Sequence, residues 1–151
     1  MANTRQDAIA EAEGALQAYE RSNRAFDDAV AQALHLNPTD LRALDWLAEG
    51  PRSAGELRDG TGLSSAATTT LIDRLEGRGF VERVGDPADR RRVVVRLTRA
   101  GAERITRFYG PIVRDGASLF SSFSDNEIDR IRDWLVAARE LTDQHRELIE
   151  G

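Results

Sequence analysis

Three consecutive arginines, Arg90, Arg91 and Arg92, follow the turn-forming run Gly85-Asp86-Pro87-Ala88-Asp89. Adjacent like charges in a turn repel one another unless a polyanion faces them. The guanidinium fork also suits the negative potential of a narrow DNA minor groove. The competing reading is a solvated hairpin tip with local Asp–Arg pairs. A second cluster lies upstream, where residues 64–70 read SSAATTT. Ser64, Ser65, Ala66, Thr68, Thr69 and Thr70 are small enough to let a helix seat deep in a major groove, with hydroxyls on phosphates and methyls on thymine. Poor helix formers gathered there call for a reason beyond capping followed by solvent-facing threonines. Arg74 is placed either to touch a phosphate or to pair with Asp73 or Glu76, and Arg78 is equally ambiguous.

Other chemistries lack parts. The 151 residues include no cysteine, and all 21 basic residues are arginine. Thiol nucleophiles, disulfides, thiolate metal sites, Schiff-base lysines and the P-loop lysine are therefore absent. Two histidines, His35 and His145, are too few for a zinc site. Asp125, Glu127 and Asp129 read as a charged helix start matched to the macrodipole, not as a catalytic pair. The expectation is a non-enzymatic protein with no metal or cofactor.

The net charge of −5 conceals an asymmetry. Residues 51–99 hold ten arginines against seven carboxylates, a local +3, and the remainder carries −8. A basic segment inside an acidic chain is an electrostatic footprint for nucleic acid. No apolar run approaches the roughly 18 residues of a membrane span, and the polar start MANTRQDAIAEAEG is unlike a signal peptide. A cytoplasmic location without a membrane partner is expected.

The elements that must position these residues can be read in order. Residues 4–35 carry Ile9, Leu16, Tyr19, Phe26, Val30 and Leu34 near a period of 3.5, a long helix ended by Asn37-Pro38. So few apolar residues over so many turns imply a partner helix for its first half. Thr39 is the expected N-cap of a helix over about 40–49 with Leu41, Leu44, Trp46 and Leu47 on its apolar side. Ser53 and Glu56 have capping-box spacing and open a short helix that stops at Gly60. Ser64 or Ser65 caps the next, which runs to about Arg78 and buries Leu71, Ile72 and Leu75. Two helices joined by a tight Gly-containing link form a helix-turn-helix candidate.

Phe80–Val84 and Arg92–Leu97 alternate as strands around the turn, so the arginine cluster sits at a hairpin tip. A helix-turn-helix followed by a basic hairpin is a winged helix. Another long helix starts at about Thr98, with a kink expected at Gly110-Pro111. Ser124 and Glu127 open a last helix to about 149, with Ile128, Ile131, Leu135, Ala138, His145 and Leu148 as its stripe. The fold class is mainly α with a small β-hairpin wing. Apolar stripes on terminal helices point to mutual dimerisation.

Residues 63–98, LSSAATTTLIDRLEGRGFVERVGDPADRRRVVVRLT, resemble the MarR family of bacterial transcriptional regulators. The matching pieces are LIDRLEGRGFVER at Leu71–Arg83, DPADRR at Asp86–Arg91 and LTRAG at Leu97–Gly101. The resemblance implies one domain over 1–151, with dimerisation helices at about 4–35 and 99–149 around a DNA-binding winged helix-turn-helix lobe at about 38–98. It implies a homodimer on a pseudo-palindromic double-stranded DNA site, each recognition helix in the major groove and each wing in the neighbouring minor groove. Asp89 and Arg91 match the family's wing pair, in which the Asp orients an Arg that enters the minor groove. Many members carry Arg where this chain has Thr70, and Arg is frequent at the position of Ala88. The first departure implies a different base reading.

Family members commonly bind small phenolic or other anions near the junction of lobe and dimer helices. Trp46, Phe108, Tyr109 and His35 are the candidate effector-binding residues, with plain core or interface roles as the alternative. The combined expectation is a ligand-responsive regulator, repression being the family's common outcome. The alternative is a winged-helix dimer that serves as a protein-interaction module without specific DNA binding.

Overall fold

The structure, a computed structural model, describes residues 4–151. In chain order the elements are α1 (Arg5–Ala33), α2 (Pro38–Ala48), α3 (Ala54–Thr61), α4 (Ser65–Gly77), β1 (Val81–Gly85), β2 (Val93–Leu97), α5 (Arg99–Ala117), a 3-10 turn (Ser118–Phe120) and α6 (Asp125–Glu150). This is the mainly helical architecture with a hairpin wing that the sequence predicts. No described helix is long and apolar enough to cross a membrane.

Local chemistry explains the boundaries. Reciprocal capping boxes open α1, α2, α3 and α6 through Thr4/Asp7, Asn37/Asp40, Ser53/Glu56 and Ser124/Glu127. The expected cap at Thr39 is corrected to Asn37: Pro38, with its φ preset for a first helical turn, takes the position after the cap. Helix α3 likewise runs past Gly60 and ends at Gly62, whose φ of +72° is the left-handed conformation glycine adopts freely. Gly60 has another task, because a Cβ there would lie 2.7 Å from the indole of Trp46. Helix α5 continues through Pro111 as far as Ala117.

β1 and β2 pair antiparallel in the register Val81↔Leu97 to Gly85↔Val93. Arg52 adds a bridge to Val95 on the free side of β2, tying the segment between α2 and α3 to the wing. A one-residue bridge leaves no periodicity to read in a sequence.

The chain forms two compact units, Met1–Thr106 and Arg107–Gly151. All of the buried apolar core lies between Val30 and Val95, centred on Leu44, Leu57, Ile72, Leu75 and Phe80. Burying side chains of this size contributes about 1.5–3 kcal/mol each. The second unit buries none of its residues fully.

Candidate nucleic-acid interface

Helix α4 begins where the Ser64 hydroxyl accepts the Ala67 N–H at 3.2 Å. Thr68, Leu71, Ile72 and Leu75 turn into the core at three- and four-residue steps. Thr68 is only 2% exposed, and its hydroxyl donates to the Ser64 carbonyl at 2.9 Å. The expectation that Thr68 faces DNA is therefore corrected: its phase on the helix matches Leu71, Ile72 and Leu75. The opposite face is open and consists of Ser65, Ala66, Thr69, Thr70, Asp73, Arg74 and Gly77, with Ser64 exposed at the start. Thr69 and Thr70 each donate their hydroxyl to the carbonyl four residues back, Ser65 and Ala66, at 3.1 Å.

Arg74 takes neither of its expected local partners. It forms a two-point pair with Asp40 of α2, Nη2 on one carboxylate oxygen and Nε on the other at 3.3 Å. Asp40 is 1% exposed, and a carboxylate so placed requires a cation. Its hydrogen bond raises the Arg74 pKa above the ordinary value. Asp73 and Glu76 are meanwhile occupied by Arg83 of β1, with Nη2 at 2.6 Å from Asp73 and Nη1 on Glu76. Arg83 is raised in turn, first by the Asp73 bond.

Arg78 closes off α1. Its guanidinium donates to the carbonyls of Leu34, at 2.6 Å, and His35. A cation there complements the negative end of the helix. It also secures His35, which has a φ of +52°.

The wing tip is built from two Asp-centred turns. Asp86 accepts the Ala88 N–H at 2.9 Å, and Asp89 accepts the Arg91 N–H at 3.0 Å. Backbone bonds of 2.9 Å from Asp86 to Arg92 and from Arg92 to Asp89 close the loop. Asp89, Arg90, Arg91 and Arg92 are all exposed.

The ion pairs decide where positive charge is available. Arg52, Arg58, Arg74, Arg83, Arg96 and Arg99 pair with carboxylates, and Arg92 stands 3.9 Å from Asp86. Among the described residues, the side chains of Arg90 and Arg91 have no partner. Arg78 is bonded to backbone carbonyls, so the guanidinium groups of this segment that have no partner at all lie at the wing tip.

The four candidate effector residues divide between the units. His35 is exposed at the end of α1, and Trp46 lies on Gly60 with the Arg52 guanidinium 5.7 Å from its ring centre. Phe108 and Tyr109 are half-buried in the second unit. A cavity of about 330 Å³ in that unit contains neither of them; it is lined chiefly by Phe120, Ile128, Ile131, Leu135 and Val136. The described residues contain no group of three or more His, Asp or Glu able to hold a metal ion.

A model of the MarR family matches residues 36–92. The HTH-type transcriptional regulator YcgE of Bacillus subtilis, itself uncharacterized, is 39% identical over 126 residues, 83% of this chain and 82% of the relative. A MarR family protein from Bacillus stearothermophilus is 31% identical with a TM-score of 0.60, over 96% of this chain and 98% of that one. The fold is shared with a mutant MepR of S. aureus bound to an oligodeoxyribonucleotide, at 16% identity and a TM-score of 0.57, over 86% of this chain and 96% of that one.

Proposed function

The chain belongs to the MarR family of winged helix-turn-helix, DNA-binding transcriptional regulators, and on that premise we propose that it acts as a homodimeric, ligand-responsive repressor on a pseudo-palindromic site. In this reading α4 enters the major groove with Ser64, Ser65, Ala66, Thr69 and Thr70 outward, and Arg90 and Arg91 reach the adjacent minor groove. The observation that carries it is the pair of unpartnered guanidinium groups on a hairpin tip whose backbone Asp86 and Asp89 hold in place. Arg74 is assigned to Asp40 and not to a phosphate.

The dimer is supported by a broad apolar face on α6. Trp134, Leu135, Leu141, Leu148 and Ile149 are exposed there, more than an isolated helix keeps in water. Ile9 and Tyr19 of α1 are exposed in the same way. Repression would follow from occupying the site, in the cytoplasm where promoter DNA lies. An effector would release it by binding better to a dimer whose half-site spacing is wrong for that DNA; equal binding to both arrangements would do nothing.

The test is selection of duplexes from a random pool by the purified protein, with Arg91→Ala in parallel. The expected result is a two-fold-related site with half-sites about one helical turn apart, and much weaker enrichment by the variant. No enrichment at low salt by a folded dimer would contradict the proposal and leave protein interaction as the better reading.

A further inference from the structure

We propose that Ala66, Thr69 and Thr70 form a methyl surface on α4 that reads thymine through its C5-methyl group and offers guanine no donor. The proposal rests on the placement of α4 in the major groove and adds the chemistry of the bases it selects. Thr69 and Thr70 commit their hydroxyl hydrogens to the carbonyls of Ser65 and Ala66, both at 3.1 Å. Each threonine therefore shows a base edge its methyl group and hydroxyl lone pairs, but no donor. Ala66 precedes them by three and four residues, which places its methyl on the same open face.

Guanine presents only acceptors, N7 and O6, in the major groove, and its usual reader is a two-point arginine or lysine. Helix α4 has no such group to offer. Arg74 is turned to Asp40 and Arg78 to the end of α1. Asp73, the other charged residue on the open face, is held by Arg83. Thymine, by contrast, carries a methyl group at the groove edge that packs on alanine and threonine methyls. These residues are apolar where thymine is apolar, and Thr69 and Thr70 lack the donors that guanine requires.

The experiment runs the duplex selection in two pools, one synthesised with thymidine and one with deoxyuridine, which lacks only the C5-methyl. The wild-type protein is compared with a Thr69→Ser, Thr70→Ser double variant that keeps both hydroxyls. The wild type is expected to bind its enriched thymidine site about fourfold more tightly per contacted methyl than the deoxyuridine version. The serine variant should lose the share of that preference that the Thr69 and Thr70 methyls supply and keep only what Ala66 supplies. Equal enrichment of both pools by the wild type would overturn the proposal and leave the groove placement standing. A thymidine preference undiminished in the serine variant would overturn the assignment to Thr69 and Thr70. Failure to enrich either pool would overturn the groove placement, and this proposal with it.

Discussion

In the wing, Asp89 holds Arg91 by the backbone: the carboxylate accepts the Arg91 N–H at 3.0 Å, and the Arg91 guanidinium has no partner among the described residues. Orientation of the arginine thus comes from the turn and not from an ion pair. The amide oxygen of asparagine can accept the same N–H. Asp89→Asn should retain DNA affinity, whereas Asp89→Ala should lose about three- to tenfold, the worth of one turn hydrogen bond. Equal losses in both variants, measured by fluorescence anisotropy, would show that the carboxylate charge itself is needed.

The Arg74–Asp40 pair joins α4 to α2 through a buried carboxylate. Arg74→Ala should lower stability by about 1–3 kcal/mol, because it leaves that carboxylate unpaired while the arginine side is partly solvated. Arg74→Lys should recover only part of this, since an ammonium cannot span both oxygens. The check is the urea midpoint at constant slope. Unchanged stability with a selective loss of DNA affinity would move Arg74 to the DNA surface.

Gly101 lies against Phe80, where an added Cβ would be 2.2 Å from the Phe80 carbonyl oxygen. Backbone cannot give way as a side chain can, and Phe80 is fully buried with the Arg104 guanidinium 3.8 Å from its ring centre. Gly101→Ala should cost about 3 kcal/mol or more. Gly116→Ala, where nothing lies within 4 Å, should instead stabilise by about 0.5–1 kcal/mol. Thermal midpoints moving in opposite directions would bear this out, and matching shifts would refute it.

Burial raises the pKa of Asp45, and the charges of Glu49 and Asp27 push the same way. A carboxyl raised in the folded state binds more protons there than when unfolded. Its contribution to stability is therefore greatest at acid pH and is lost as pH rises through the folded value. Asp45→Asn should raise stability at pH 7 by no more than about 0.5 kcal/mol, since the site is half solvated and screened. The gain should vanish below the unfolded value of about 3.9. A gain that persists at pH 3 would assign the effect to packing.

The capping boxes at Ser53 and Ser124 were legible because both partners lie within one turn. Asn37 was read only as part of the break before the second helix, and Thr39 as its cap; Pro38 at the first helical position makes Asn37 the cap instead. Thr68 could have been separated from Thr69 and Thr70 by its spacing to Leu71, Ile72 and Leu75, which puts it on the core stripe. Asp40 and Arg74 are 34 residues apart, so no local pattern announces their pairing. Trp134 and Leu141 fell outside the narrow stripe read on the last helix, yet both are exposed beside it and widen the face proposed for dimerisation. The arginine cluster was visible as composition, but which arginines remain uncommitted depends on carboxylates that only the fold brings near.

If the wing-tip arginines supply the charge that meets DNA, the salt dependence of binding must report them. Two arginines on each of two wings predict a slope of log K against log salt of about −3.6 from these groups. Replacing both, as Arg90→Ala with Arg91→Ala, should flatten the slope by about that amount while the dimer stays folded. A double variant with the wild-type slope would place the phosphate contacts elsewhere and leave the wing tip without a part in DNA binding.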